Sequence, residues 1–243
     1  MVMIHLPQEK ASAKLEKKVL FSHHDQKLYE FLSQADSDIS KIDNEGWTPM
    51  QRAIEIDNIE IVRILILKCN GANLNFTNQS GSTQLTFAIG KGNLEIIELL
   101  LKSGADANFE DKSGCTPITK AIKLGNMKLI KILKDFGANV NMMNSKGWTP
   151  IRKAISTGNS KILEYLIDNG GNVNLQDGVS KTPLTTAISK GNIDIVRFLC
   201  ENGANLNLNS TDTWSPIQKA ILKDKMLKRV EHESAPGTKM CFG

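Results

Sequence analysis

One short pattern returns six times along this chain of 243 residues. Each copy begins with Thr or Ser, which in most copies precedes Pro, and an Ala-Ile pair begins five residues later. The first residues of successive copies are 35, 33, 33, 33 and 33 positions apart. A period this regular indicates a repeat architecture, in which units stack because none can bury its apolar surface alone. The copies begin at Thr48, Thr83, Thr116, Thr149, Thr182 and Ser215.

Each copy contains start and stop signals for two short helices. The Thr or Ser hydroxyl caps free backbone N–H groups, and Pro suits the first helical position. In the fourth copy Gly158 ends the first helix and Asn159 caps the second, which ends at Gly170. A polar segment with Asn, Asp and Gly then leads to the next Thr-Pro. The same signals recur at Gly92-Asn93, Gly125-Asn126 and Gly191-Asn192, and at Gly104, Gly137 and Gly203.

Three further motifs carry a family resemblance. Gly-x-Thr-Pro-[Leu/Ile], the Gly-Asn between helices and a closing Gly-Ala-x-x-Asn resemble ankyrin repeats from Asp43 to Lys223. The resemblance implies an all-α ankyrin-repeat solenoid of stacked helix-turn-helix units with extended β-hairpin-like fingers. Repeats 1 to 6 then start near residues 43, 78, 111, 144, 177 and 210, the last being incomplete.

One family residue is missing from every repeat. The His that follows Thr-Pro-Leu in ankyrin repeats is replaced, so its hydrogen bonds across the turn should be weakened or remade. The replacements are Gln51, Thr86, Thr119, Arg152, Thr185 and Gln218.

The two ends depart from the pattern, as terminal repeats of a solenoid do. We expect residues 1–42 to form an N-terminal helical capping region, residues 43–230 the array, and residues 231–243 a disordered tail. In repeat 1, Asp57 replaces the Gly between the helices, and two additional residues, Cys69-Asn70, should bulge the end of the second helix.

Composition and motifs argue against several classes of protein. The net charge is +4, and no apolar run approaches the roughly 20 residues that would span a bilayer. The four cysteines are scattered without the spacing of a zinc site, and no Walker loop, Gly-x-Ser-x-Gly or His-Glu-x-x-His occurs. We therefore expect a non-catalytic, monomeric, cytoplasmic protein without cofactor, metal site or membrane insertion, a nuclear location being the alternative.

All three tryptophans occupy the same repeat position, directly before Thr/Ser-Pro. The resemblance implies that partners bind in a concave groove lined by the fingers and the first helices. Tryptophan is enriched at interface hot spots, but it also packs along such fingers. Both interpretations of Trp47, Trp148 and Trp214 stay open at this point.

The expected groove positions are biased toward lysine. They hold seven lysines against the acids Glu45, Glu55 and Asp212, so they carry +4. Such a bias would steer an acidic partner toward the middle and C-terminal repeats, unless it only solubilises the surface. The lysines are Lys91, Lys112, Lys123, Lys146, Lys181, Lys190 and Lys223.

These observations favour a protein-protein interaction module, either an adaptor or a regulatory scaffold. One alternative is the ankyrin targeting segment of a larger enzyme or effector. Another is a nucleic-acid-associated regulator, which the scarcity of arginine in the expected groove argues against.

Overall fold

The computed structural model describes residues 42–68, 74–208, 215–216, 218–221 and 224. These residues form ten α-helices in five consecutive pairs, with further helical residues at 216, 218–221 and 224, and no strand. None of these helices has both the length and the apolar character needed to cross a membrane. The helices are α1 Pro49–Glu55, α2 Ile59–Lys68, α3 Gln84–Lys91, α4 Leu94–Lys102, α5 Pro117–Lys123, α6 Met127–Asp135, α7 Pro150–Thr157, α8 Ser160–Asp168, α9 Pro183–Lys190 and α10 Ile193–Glu201.

The described residues fall into two compact units. The first ends at Ala121 and also includes Lys128–Ala138; the second takes in Ile122–Met127 and the described residues from Asn139 onward. Helices α1 to α4 belong to the first unit and α7 to α10 to the second. The expected capping region, tail and Cys69-Asn70 bulge lie outside the described residues, except for Ile42.

The threonine caps form as the repeat pattern predicts. The Thr83 hydroxyl accepts the Thr86 N–H at 3.0 Å, and the Thr86 hydroxyl accepts the Thr83 N–H at 3.0 Å. This reciprocal pair satisfies two backbone donors that an uncapped helix would leave free. At repeat 6, Ser215 and Gln218 exchange the equivalent bonds at 2.7 and 3.3 Å. Thr48 forms the same reciprocal pair with Gln51, whereas the Thr149 and Thr182 hydroxyls accept the N–H groups of Arg152 and Thr185.

The Ala-Ile pairs supply much of the core. In the first unit α1 packs on α2 and α3, and in the second α9 packs on α7 and α10. Both residues of each pair are fully buried in repeats 1 to 4, but Ile188 of repeat 5 is half-buried and Ile221 of repeat 6 is 51% exposed. Burial of the pair therefore decreases toward the end of the described chain.

Each finger is a hydrogen-bonded turn that begins with Asp or Asn. In finger 5, Asp177 Oδ1 accepts the N–H groups of Val179 at 2.9 Å and Lys181 at 2.8 Å. Only an isolated antiparallel bridge, Thr77 to Thr83, has β character in the described residues. The β-hairpin-like fingers are thus tight turns without strands. Fingers 1 to 5 are residues 43–47, 78–82, 111–115, 144–148 and 177–181.

Polar groups link neighbouring repeats inside each unit. Asn141 Oδ1 accepts the Asn172 N–H at 2.8 Å, and Asn141 Nδ2 donates to the Gly170 carbonyl at 2.8 Å. Between fingers 4 and 5, the Gly178 N–H donates to the Gly147 carbonyl at 3.0 Å. The repeats are therefore joined by backbone hydrogen bonds as well as by apolar contact.

Two glycines separate the effect of backbone strain from that of finger contact. Gly147 and Gly158 both have positive φ, 75° and 70°. A Cβ at Gly147 would lie 2.6 Å from Gly178 Cα, whereas a Cβ at Gly158 would meet nothing within 4 Å. We expect Gly158→Ala to cost about 1 kcal/mol from the left-handed backbone. Gly147→Ala should cost at least about 3 kcal/mol, because the fingers must also separate.

Urea denaturation of the two variants measures both costs. Equal losses of unfolding free energy would show that the finger contact contributes nothing to stability.

Candidate functional site

The missing His is replaced in three different ways. In repeat 1, Gln51 Oε1 accepts the Thr48 N–H at 3.4 Å, and Gln51 Nε2 donates to the Ser82 carbonyl in finger 2 at 3.2 Å. In repeat 2, the Thr86 side chain bonds only to Thr83. The hydrogen bonds of the missing His are therefore replaced by a bridge to finger 2 in repeat 1 and by a local helix cap in repeat 2. In repeat 4 an ion pair replaces them.

Arg152 of repeat 4 forms an ion pair with the buried Asp177 of finger 5. Arg152 Nη1 lies 2.8 Å from Asp177 Oδ2, without the alignment of a regular hydrogen bond. The Asp177 side chain is 1% exposed, so the carboxylate of this ion pair is shielded from water. The Arg152 guanidinium carbon also lies 4.0 Å from the Trp148 ring centroid. Arg152 thus joins fingers 4 and 5 and supports the Trp148 ring.

A double-mutant cycle tests this pair. Arg152→Thr should cost about 3 kcal/mol of unfolding free energy, because it leaves the Asp177 carboxylate buried without its cation. Adding Asp177→Asn should recover most of that loss, since it restores the Thr and Asn combination that the chain has at Thr119 and Asn144. Additive losses in the double variant, measured by urea denaturation, would contradict the pairing.

The finger-1 tryptophan lies beside a cation that two acids compensate. The Trp47 and Phe87 rings meet edge to face, with centroids 5.0 Å apart, and the Arg52 guanidinium lies 4.9 Å from the Trp47 centroid. Arg52 pairs with Asp43 at 2.7 Å and with Glu45 at 2.6 Å. A shallow cleft of about 380 Å³ opens beside Trp47 and Phe87 toward finger 2.

The ion pairs of finger 1 change the proton affinity of both partners. Burial raises the pKa of Asp43, but hydrogen bonds from Arg52 and from the Trp47 and Glu45 N–H groups outweigh it and hold that pKa below its ordinary value. Burial lowers the pKa of Arg52, yet its two carboxylate partners raise it overall. Both groups therefore stay charged and mutually compensated.

The finger-4 tryptophan lies among cations. The Trp148 ring is half-buried, with Arg152 at 4.0 Å and Lys153 Nζ at 5.4 Å from its centroid. Asn144 and Lys146 occupy the finger positions of Asp43 and Glu45. Trp47 packs on Arg52 of its own repeat and on Phe87 of repeat 2, whereas Trp148 packs on Arg152 and Lys153 of its own repeat. Both residues stay partly exposed, so whether they contact a partner stays a prediction.

The expected lysines differ in their surroundings. Lys91 pairs with Glu55 and lies 5.6 Å from the Phe87 centroid, so its charge is already compensated. Among the described residues, no carboxylate lies within 4 Å of the other five that can be placed, of which Lys181 is half-buried and the rest exposed. Those five are Lys112, Lys123, Lys146, Lys181 and Lys190. Trp214 and Lys223 lie outside the described residues.

Two contributions to this surface were not among the expected site residues. Lys153 lies beside Trp148, and Arg152 depends on Asp177 in the next finger. The sequence does contain one signal for this difference. When the two fingers that end in Gly-Trp-Thr-Pro are aligned, the acids Asp43 and Glu45 of finger 1 correspond to Asn144 and Lys146 of finger 4. In the part of the chain that the structure describes, no cluster of His, Cys, Asp and Glu could hold a metal ion.

Family models for ankyrin repeats match most of the chain. A model of ankyrin repeats in three copies matches residues 19–111 and 85–177, and a model of ankyrin repeats in many copies matches residues 168–220. The chain belongs to the ankyrin-repeat family. A solved structure, the ankyrin repeat domain of Bcl-3, shares this fold with a TM-score of 0.71 and 21% identity, over 89% of this chain and 94% of that domain.

Two curated proteins match a shorter part of this ankyrin array. The human SMC5-SMC6 complex localization factor protein 1 is 36% identical over 77 residues, which are 32% of this chain and 7% of that protein. An ankyrin-repeat protein of Rickettsia bellii (strain RML369-C) is 37% identical over 62 residues, 26% of this chain and 36% of that protein. The matched stretch thus spans well under half of either relative.

Membership of the family establishes the general class of function. Ankyrin repeats form protein-protein interaction modules that bind protein partners, and the fold is typically non-catalytic. Which surface of this ankyrin array binds, and what it binds, is a separate question because one scaffold accepts unrelated ligands.

Proposed function

We propose that this chain is an adaptor or regulatory scaffold that binds an acidic protein partner through its fingers and first helices. The observation that carries the proposal is the pair of half-exposed tryptophans, Trp47 and Trp148, at equivalent fingertips. A half-exposed indole held by a cation presents a large rigid surface that loses little entropy on binding.

The charge of the fingers and first helices supports an acidic partner. Lys112, Lys123, Lys146 and Lys190 are exposed there, and the described residues place no carboxylate within ion-pairing distance of them. Unpaired cations of one sign attract an acidic surface and raise its rate of association. The other residues that the sequence predicts for this surface, besides the two tryptophans, are Lys91, Lys181, Lys223 and Trp214.

A second candidate is the targeting segment of a larger protein. The human relative is by name a localization factor, and the match spans 7% of its length. A short ankyrin segment that brings a larger protein to its site of action would produce such a partial match. The binding face would be the same in both cases.

Affinity capture followed by mass spectrometry tests the proposal. A Trp47→Ala/Trp148→Ala variant should lose at least about tenfold of the acidic partners that the wild type captures, because their central anchors are removed. Phe136→Ala, which removes an exposed aromatic ring just after α6, is the matched control. Circular dichroism of each variant establishes that it is folded.

An unchanged partner list in the folded tryptophan variant would contradict the proposal. Equal losses in the Phe136→Ala control would do the same.

A further inference from the structure

The chain contains two copies of one tryptophan fingertip with opposite charge. Finger 1 reads Asp-Asn-Glu-Gly-Trp from Asp43, and finger 4 reads Asn-Ser-Lys-Gly-Trp from Asn144. The acids Asp43 and Glu45 of finger 1 correspond to Asn144 and Lys146 of finger 4. Both tryptophans are half-buried. Trp47 also meets the Phe87 ring, and beyond this contact the two fingertips differ in the charges around the indole.

At finger 1 the cation beside the tryptophan is held by two acids of the same fingertip. Arg52 lies over Trp47 and is compensated by Asp43 at 2.7 Å and Glu45 at 2.6 Å. Lys91, on the neighbouring first helix, pairs with Glu55. An acidic ligand at finger 1 would therefore have to compete with carboxylates that already hold these cations.

At finger 4 the acids of finger 1 have no counterpart. Arg152 is compensated by Asp177, but Lys146 is exposed and Lys153 lies 5.4 Å from the Trp148 centroid. The same unit adds three more lysines on its fingers and first helices. None of these lysines has a described carboxylate within 4 Å; the added ones are Lys123, Lys181 and Lys190.

The type of cation indicates the type of anion. Arginine recognises planar or phosphorylated groups through a rigid fork, but the nearest guanidinium, that of Arg152, already holds Asp177 and Trp148. The remaining cations are lysines, which act as separate point charges on flexible stems. Such an array responds to charge density along an extended chain more than to a single phosphorylated residue.

We infer that the second unit binds an extended Asp/Glu-rich protein segment, anchored at Trp148 and held by Lys146, Lys153, Lys181 and Lys190. This inference rests on the proposed function and names the chemistry of the partner. Finger 1, whose cation is already paired, contacts a part of the partner other than this acidic segment.

Fluorescence anisotropy with a labelled poly-glutamate peptide tests the inference on the full chain. Binding should weaken by at least about tenfold when ionic strength rises from about 0.05 to 0.3 M. The Lys146→Glu/Lys190→Glu variant should lose at least about tenfold in affinity at low salt, because each change replaces an attraction by a repulsion.

The chain offers matched controls for charge and for the aromatic ring. Lys128→Glu/Lys161→Glu makes the same change of net charge at two exposed second-helix lysines, on α6 and α8, and should keep affinity within about twofold. Trp148→Leu should weaken binding by about tenfold. Trp47→Leu, at the fingertip whose cation is held by two acids, should not.

Two further probes test whether the second unit prefers carboxylates to phosphates. A serine-phosphorylated peptide and a single-stranded DNA oligonucleotide of equal charge should bind no more tightly than poly-glutamate. Tighter binding of either would overturn the inference of a carboxylate-rich partner. So would equal losses in the two lysine pairs, or no binding of poly-glutamate at low salt.

These outcomes are separable from failure of the proposed function. If poly-glutamate does not bind while captured partners still depend on the tryptophans, the inference is wrong and the interaction surface remains. If captured partners are indifferent to both tryptophans, the proposed function itself is wrong.

Discussion

Within each compact unit, neighbouring repeats depend on one another to bury apolar groups and to pair polar ones. The first helices have only seven or eight residues, too few to be stable in isolation. Their Ala-Ile pairs are buried where another repeat packs against them, and Ile221 near the end of the described chain is half exposed. The hydrogen bond from the Gly178 N–H to the Gly147 carbonyl joins two neighbouring fingers and is a polar contact between repeats. Fingers can therefore vary in charge while the contacts beneath them keep one geometry.

The sequence predicts the backbone of this protein well because caps and glycines act locally. The capping pair Thr83 and Thr86 is an example, since three residues suffice to define it. Asp57 is another, because it takes the left-handed conformation, φ 58°, that Gly158 has in repeat 4. Such signals need no knowledge of which repeat lies beside which.

The charge pattern of the surface is less predictable for the opposite reason. A count of charged residues gives the expected groove a net positive charge, but the count does not tell us that Lys91 forms an ion pair with Glu55. Nor does it tell that Arg152, at the position of the family His, reaches Asp177 in the next finger. These pairs join residues 25 to 36 positions apart. They depend on how one finger or helix meets the next, which a repeat pattern alone does not specify.

The central claim is that partners contact the fingers and first helices of the second unit around Trp148. Lysine acetylation footprinting of the chain with and without its captured partner measures this directly. The account predicts that Lys146, Lys153 and Lys190 lose reactivity in the complex, while Lys128 and Lys161 on the second helices keep theirs. Protection of Lys128 and Lys161 with unchanged reactivity at Lys146 and Lys190 would contradict it.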